Sequence, residues 1–278
     1  MLDSYDLLSK IDSTYDIEEL SRLELLLLQS KLTEKIKDSF TKPGGFMNFV
    51  RHFWSSVEPE KEMKQGWILE AIGEHLEACI DGRITRLLIN VPPGSSKSLL
   101  CSVFLPAYIW GPMNYPSARI LNISYSASLP MRDNRRMLRL IRSPEYQKMY
   151  GDLFKLTKDG EILIENNCSG FKNGLGISGG VTGNRCDFLI CDDLNNITAK
   201  ETKDVMDETN RKFIEGVSNR LNDMVESVII VIAQRCHQND VSGFIIKSEF
   251  YEDYVHLCIP FLLKEEYVKL RLVGQIQE

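Results

Sequence analysis

No two of the seven cysteines in this 278-residue chain are spaced as CxxC, and none falls in a His/Cys cluster. Neither a zinc site nor a disulfide framework is therefore signalled, and positions 79, 101, 168, 186, 191, 236 and 258 read as small core residues in a reducing compartment. No apolar run approaches the ~20 residues that span a bilayer. The longest leucine run is Leu25 to Leu28, and the acidic start MLDSYD is no signal peptide. A basic excess is also missing: 33 Lys and Arg face 39 Asp and Glu, for a net charge of −6. That balance argues against a chain coated in nucleic acid but leaves room for a local basic face. There is no internal repeat or low-complexity segment. With 43% hydrophobic and 26% charged residues, the expectation is a soluble, intracellular globular protein with one large core.

Residues 1 to 40 read as helical, because SRLELLLLQSKLTEKIKDS is rich in Leu, Glu and Lys and lacks Gly and Pro. TKPGG breaks that pattern, which sets off an N-terminal helical appendage over 1–45. A second helix over about 64–80 ends at Asp81-Gly82. From there strands and helices alternate. RLLINV (86–91) predicts a buried strand, SLLCSVFLPAYIW (98–110) a helix, ARILNISY (118–125) a strand and SLPMRDNRRMLRLIRS (128–143) a helix. A hairpin near GEILIENN, a glycine-rich stretch GLGISGGVTGNR, the strand CDFLICDD, a charged helix around 200–221 and the strand SVIIVIAQR follow. Such alternation predicts an α/β fold with a mostly parallel sheet flanked by helices. The main domain spans 46–262, and 263–278 is too short for a domain and reads as a linker.

INVPPGSSKSLL has the layout of a phosphate-binding loop, strand then tight turn then Lys-Ser then apolar helix, but not its spelling. The glycine expected before the lysine is Ser96, and the first glycine of the pattern falls on Val91. The nucleotide-binding set is Pro93, Gly94, Ser95, Ser96, Lys97, Ser98 and Leu99: backbone N–H groups at a helix start cradle phosphates, Lys97 reaches them and the Ser98 hydroxyl meets Mg²⁺. FLICDD then offers Asp192 as the second metal ligand and Asp193 as the acid that polarises the attacking water. Taken alone, PPGSSKS is a polar turn and Asp-Asp a helix cap. Their order, each at the C-terminal end of a strand, favours an ATP and Mg²⁺ site.

A third strand ends in QRCHQND, where Gln234 would sense the γ-phosphate or the water and Arg235 and His237 would relay the change. Equally, these side chains satisfy buried backbone and carboxylate groups. On the helix 128–143, Arg132, Arg135, Arg136, Arg139 and Arg142 share an arc of roughly 120°, a face suited to DNA phosphates or to a neighbouring subunit's acids, or simply to solvent.

These residues resemble those of the large terminase subunit, the ATP-driven DNA-packaging motor of tailed bacteriophages and prophages. The likeness rests on four ordered blocks, LLINVPPGSSKSLLCSVFLPAYIW, ISYSASLPMRDNRRMLRLIRSPEYQ, GGVTGNRCDFLICDDLNN and VIAQRCHQNDVSGFII, and covers roughly residues 64 to 262. It implies a P-loop ATPase of the additional-strand type that hydrolyses ATP with Mg²⁺ and moves double-stranded DNA in the cytoplasm of a bacterial host. It also implies a homo-oligomeric ring, a portal protein and a small terminase subunit as partners. Two departures follow. Family members often carry an arginine inside the phosphate loop, where this chain has Gly94 and Ser95, so the arginine finger comes from elsewhere, with Arg185 of VTGNRCD as first choice. The nuclease half of the family has no room here, so no DNA cleavage is expected. A helicase-like translocase and a degenerate, non-hydrolysing prophage remnant are the alternatives.

Overall fold

The computed structural model describes residues 22–179, 183, 185–196 and 202–260. The first part of the appendage and the linker 263–278 therefore lie outside the described residues. Within them the apolar runs form eight strands: β1 (Arg86–Asn90), β2 (Arg119–Ser124), β3 (Leu156–Asp159), β4 (Leu163–Asn166), β5 (Phe171–Gly176), β6 (Phe188–Asp192), β7 (Val228–Ala233) and β8 (Val255–Cys258). They make one sheet in the order β3-β4-β5-β2-β6-β7-β1-β8. The six strands from β5 to β8 are parallel, and only the β3–β4 and β4–β5 pairings are antiparallel, so β4 alone runs against the rest. Strand β7 thus separates β1 from β6, the two strands that carry the candidate loop and the paired acids.

Alternation along each strand divides the core in two. Leu87 and Ile89, Ile120, Ile190, Ile230 and Ile232 face one hydrophobic cluster, while Leu88, Leu121, Ile123, Leu189, Cys191, Ile229 and Val231 face the other. Both faces being covered explains why β2, β6 and β7 read as nearly unbroken apolar runs. The first face is covered by α2 (Gly45–Val57), α3 (Trp67–Ile80), α4 (97–110), α5 (Ser128–Ile141) and α6 (Pro144–Tyr150). Helix α4 begins at Lys97–Leu99, widens into a π turn at Leu100–Phe104 and continues as Leu105–Trp110. Pro106 lacks the N–H that would bond back into that turn, which accounts for the widening. On the second face lie the π turn Phe213–Val217, which continues α7 (Lys203–Lys212), and α8 (Val241–Lys247).

Helix α1 (Arg22–Phe40) leaves Leu26 and Leu27 exposed and reaches the core at Phe40, whose carbonyl accepts from the Tyr108 hydroxyl. Several elements are absent from the sequence expectation, among them α6, α8 and β8, and for two others the structure shows why. Helix α2, with Phe46, Phe49, Val50 and Phe53 fully buried, was not foreseen, because its cap is supplied from afar. Gly44 N and Phe46 N donate to the Glu77 carboxylate of α3 at 3.0 and 2.6 Å. Each of those buried side chains contributes about 1.5–3 kcal/mol, so the helix belongs to the core as firmly as any strand. The glycine-rich stretch, in turn, begins inside β5. A Cβ at Gly174 would stand 2.8 Å from Pro130 Cβ, so glycine there lets α5 lie directly on the strand.

Candidate functional site

Strand β1 delivers its chain into Val91-Pro92-Pro93 and then into a loop with two left-handed residues. Gly94 has φ 81°, as glycine allows. Ser96, the residue standing in the glycine position, has φ 55° and ψ 18° and directly precedes α4. The serine therefore holds a left-handed conformation that glycine would adopt freely, at a cost on the order of 1 kcal/mol. No side chain caps the helix start, so the N–H groups of Lys97, Ser98 and Leu99 open onto the loop. The Ser95 hydroxyl is buried without a partner among the described residues.

The register β1-β7-β6 brings Asp192 and Asp193 to the same sheet edge as this loop. Lys97 Nζ donates to Asp193 Oδ1 at 3.1 Å, with the two side chains only 10% and 23% exposed. The same oxygen accepts from Gln234 N at 3.1 Å, and Asp193 itself is left-handed at φ 47°. Asp192 is buried and points to the first face, where the Ser102 hydroxyl lies 3.5 Å from its Oδ2. Its Oδ1 has no hydrogen-bond partner. Burial pushes the Asp192 carboxyl up to about 7; the adjoining Asp193 charge adds to this, and a hydrogen bond from Ser98 opposes it. A buried carboxylate oxygen lacking a donor, beside a serine hydroxyl, suits a hard cation that keeps waters and phosphate oxygens as its other ligands. Among the described residues there is no group of three or more His, Cys, Asp or Glu that would hold a metal without such help.

At the end of β7, Gln234 joins the site through its backbone, while Arg235 and His237 turn to local tasks. Arg235 Nε lies 3.1 Å from Asp240 Oδ1, and Asp240 is buried and caps α8 through Gly243 N at 2.7 Å. Cys236 N and His237 N donate to Asp240 Oδ2 at 3.0 and 3.1 Å, and His237 Nδ1 accepts from Asn239 N. Asp240 is thus the hub of the QRCHQND turn, a role whose only sequence signal was its place before an apolar helix.

The arginine stripe of α5 is engaged throughout. Arg132 pairs with Asp133, Arg135 with Glu161, Arg136 with Glu58 and Asp133, and Arg142 with Asp159, while Arg139 donates to the Val57 carbonyl. The acids come from Asp133 of α5 itself and from distant segments, which helical spacing alone does not reveal. Beneath the stripe lies a second surprise: Lys172 of β5 is fully buried and donates to Asn134 Oδ1. Burial holds its ammonium pKa down to about 8, against the pull of Asp133 and Asp192. Arg185 is exposed and precedes the bridge between Cys186 and Leu221, at the N-terminal edge of the sheet. Seven residue steps of largely extended chain, roughly 20 Å, separate it from Asp192. It cannot reach the loop of its own chain.

The described residues thus form a mixed α/β protein whose eight-stranded, mostly parallel sheet is flanked by helices, with polar and charged groups gathered at the C-terminal ends of β1, β6 and β7. Among solved structures it is similar to the crystal structure of the HK97 bacteriophage large terminase, with a TM-score of 0.50 and 14% sequence identity. The match covers 78% of this chain and 44% of that one, so the chain spans less than half the length of that terminase. At this identity the likeness is one of fold. No protein-family model and no curated protein matches the sequence.

Proposed function

We propose that this chain is the ATP-hydrolysing motor domain of a terminase-type DNA-packaging machine, a P-loop ATPase with one strand interposed between its two nucleotide-binding strands. The observation that carries the reading is the meeting of three groups from two separated strands: the Lys97–Asp193 pair, the Ser98 hydroxyl and the orphaned oxygen of buried Asp192. Mg²⁺, when bound, would neutralise charge on the phosphates. Ser98 and Asp192 would hold it; the N–H groups from Ser95 to Leu99 would cradle phosphate; and Lys97 would leave Asp193 for the phosphates. That exchange frees Asp193 to orient and deprotonate water, while Gln234, already tied to Asp193, registers the change.

The left-handed Ser96 supports a working loop over a degenerate one, because it keeps the helix-opening N–H groups aimed as glycine would. Arg185, remote from its own loop, is suited to serve the phosphate site of a neighbouring copy in a ring. Double-stranded DNA as the cargo, a portal protein and a small terminase subunit as partners, and the cytoplasm of a bacterial host as the setting belong to the same proposal. Calorimetry with an ATP analogue tests it. Binding that needs Mg²⁺ and disappears in Lys97→Ala is expected; no binding by the unmodified chain at millimolar nucleotide would sink the reading.

A further inference from the structure

We propose that Asn90 and His256 are positioning residues that tie the strand feeding the phosphate loop to the sensor segment and to edge strand β8, so that filling the loop is felt at β8. The proposal rests on the nucleotide-site reading above.

Asn90 ends β1, immediately before Val91-Pro92-Pro93-Gly94. An amide only 3% exposed in a sheet core is costly unless every polar group is satisfied. Here each one is. Asn90 Nδ2 donates to Ser242 Oγ of α8 at 2.9 Å and to the Ala233 carbonyl of β7 at 3.1 Å. Its Oδ1 accepts from His256 Nε2 at 2.9 Å, and its backbone carbonyl accepts from Ile259 N at 2.8 Å.

The amide oxygen can only accept, so His256 carries its proton on Nε2. Its Nδ1, 3.0 Å from the Tyr251 hydroxyl, is then the acceptor of that O–H. Burial and the Arg235 charge disfavour protonation of the ring, which keeps this one tautomer. One side chain therefore joins four segments: the entrance to the loop, the residue before Gln234, the first turn of α8 and the edge strand. Gln234 N is in turn bonded to Asp193. A displacement of the loop on binding phosphate cannot leave Asn90 without breaking a buried hydrogen bond, so β7, α8 and β8 must follow.

The test uses the whole chain with Mg²⁺ and a non-hydrolysable ATP analogue. It reads the change in amide exchange of residues 255–259 between free and bound states, beside the dissociation constant. In the unmodified chain exchange there should slow by about threefold or more on binding. In His256→Leu the analogue should still bind within about threefold, yet the slowing should be lost; in His256→Gln, whose side-chain amide can still donate to Asn90, it should return. A merely structural role would raise exchange in both states alike and leave their ratio unchanged. Tyr251→Phe, which removes a single hydroxyl, is the milder arm and should roughly halve the effect. Full slowing in His256→Leu, or in Tyr251→Phe should the leucine variant not fold, overturns the proposal. Failure of the unmodified chain to bind overturns the nucleotide-site reading and this proposal together, and is recognised by that control alone.

Discussion

Replacing Asp192 with Asn should make the protein more stable and useless as a metal site at once. Asp192 is buried, has one oxygen without a donor and lies beside a second acid. Raising a carboxyl from 3.8 to about 7 corresponds to about 4 kcal/mol of destabilisation once the group is ionised in both folded and unfolded states. The sign follows from the direction. A raised carboxyl pKa favours the folded state's proton, so the stability it confers is complete below pH 3.8 and is lost as pH rises through about 7. Asp192→Asn keeps the acceptor for Ser98 and removes the charge. Urea unfolding of both proteins should show the variant ahead by about 2–4 kcal/mol at pH 8, with the lead shrinking to near zero by pH 4. With saturating Mg²⁺ and ATP analogue the lead should shrink by about 2.7 kcal/mol, because ligand at about 100 times its dissociation constant adds that much to the wild type alone. A lead that does not vary with pH, or a variant less stable at pH 8, would refute the burial reasoning. An equal ligand effect in both proteins would refute the metal assignment.

Ser96→Gly should preserve nucleotide binding and be neutral to stabilising by up to about 1 kcal/mol in thermal melts, whereas Ser96→Val should lose both stability and binding, since a β-branched residue resists the left-handed conformation. If the valine variant binds nucleotide normally, loop geometry is not the determinant. Lys97→Ala should abolish turnover in a phosphate-release assay while the melting temperature moves little, and wild-type turnover in that variant is the outcome that removes the site assignment. Asp240→Ala strips the cap from α8 and three further hydrogen bonds, and should cost about 2–4 kcal/mol in denaturant unfolding; a loss below about 1 kcal/mol would demote it from hub to bystander. Charge reversal at Arg135 and Arg139 bears on the α5 stripe. If the stripe grips DNA, the slope of log affinity against log salt should fall by about 2; an unchanged slope assigns the arginines to their internal partners.

Much of the fold was legible because the strands bury both faces. RLLINV, ARILNISY, FLICD and SVIIVIA read as apolar runs, and each became a strand at nearly those bounds. Helix α2 escaped because its N-terminus is capped by Glu77, a residue 31 positions beyond Phe46, and no local cap announces it. Strand β5 was hidden by Gly174 and Gly176, present for the close approach of α5 and not for a turn. In the site, Lys97, Ser98, Asp192 and Asp193 come together as their order along the chain implied. Ser102 stands one helical turn beyond Ser98 and was open to the same periodicity argument. Lys172 was not accessible in that way, since its partner Asn134 lies on another element, whereas Asp133 and Asp240 take partners close in sequence, at Arg132 and Arg136 and at Arg235 to His237.

Satisfaction of polar groups separates the two arginine-rich and acid-rich features of this molecule better than charge does. The α5 stripe, which composition made the more conspicuous, has each arginine matched to an acid or a carbonyl. The loop edge is the reverse. Among the described residues only four non-glycine positions have positive φ, and two of them, Ser96 and Asp193, lie at this edge, where Asp193 pairs with Lys97, the residue after Ser96. The Ser95 hydroxyl and Asp192 Oδ1 are buried there with nothing to bond. Backbone strain and orphaned acceptors each cost on the order of 1–3 kcal/mol, and a fold with only ~5–15 kcal/mol in hand does not accumulate them at one edge for the sake of stability. Under the proposed reading they would be offset by an anion on the N–H groups and a cation on the carboxylate. Unpartnered buried polar atoms also occur elsewhere, at Asn122, Tyr150 and Asn173 for example, so it is their coincidence with left-handed backbone at this edge that favours the proposed ligand site.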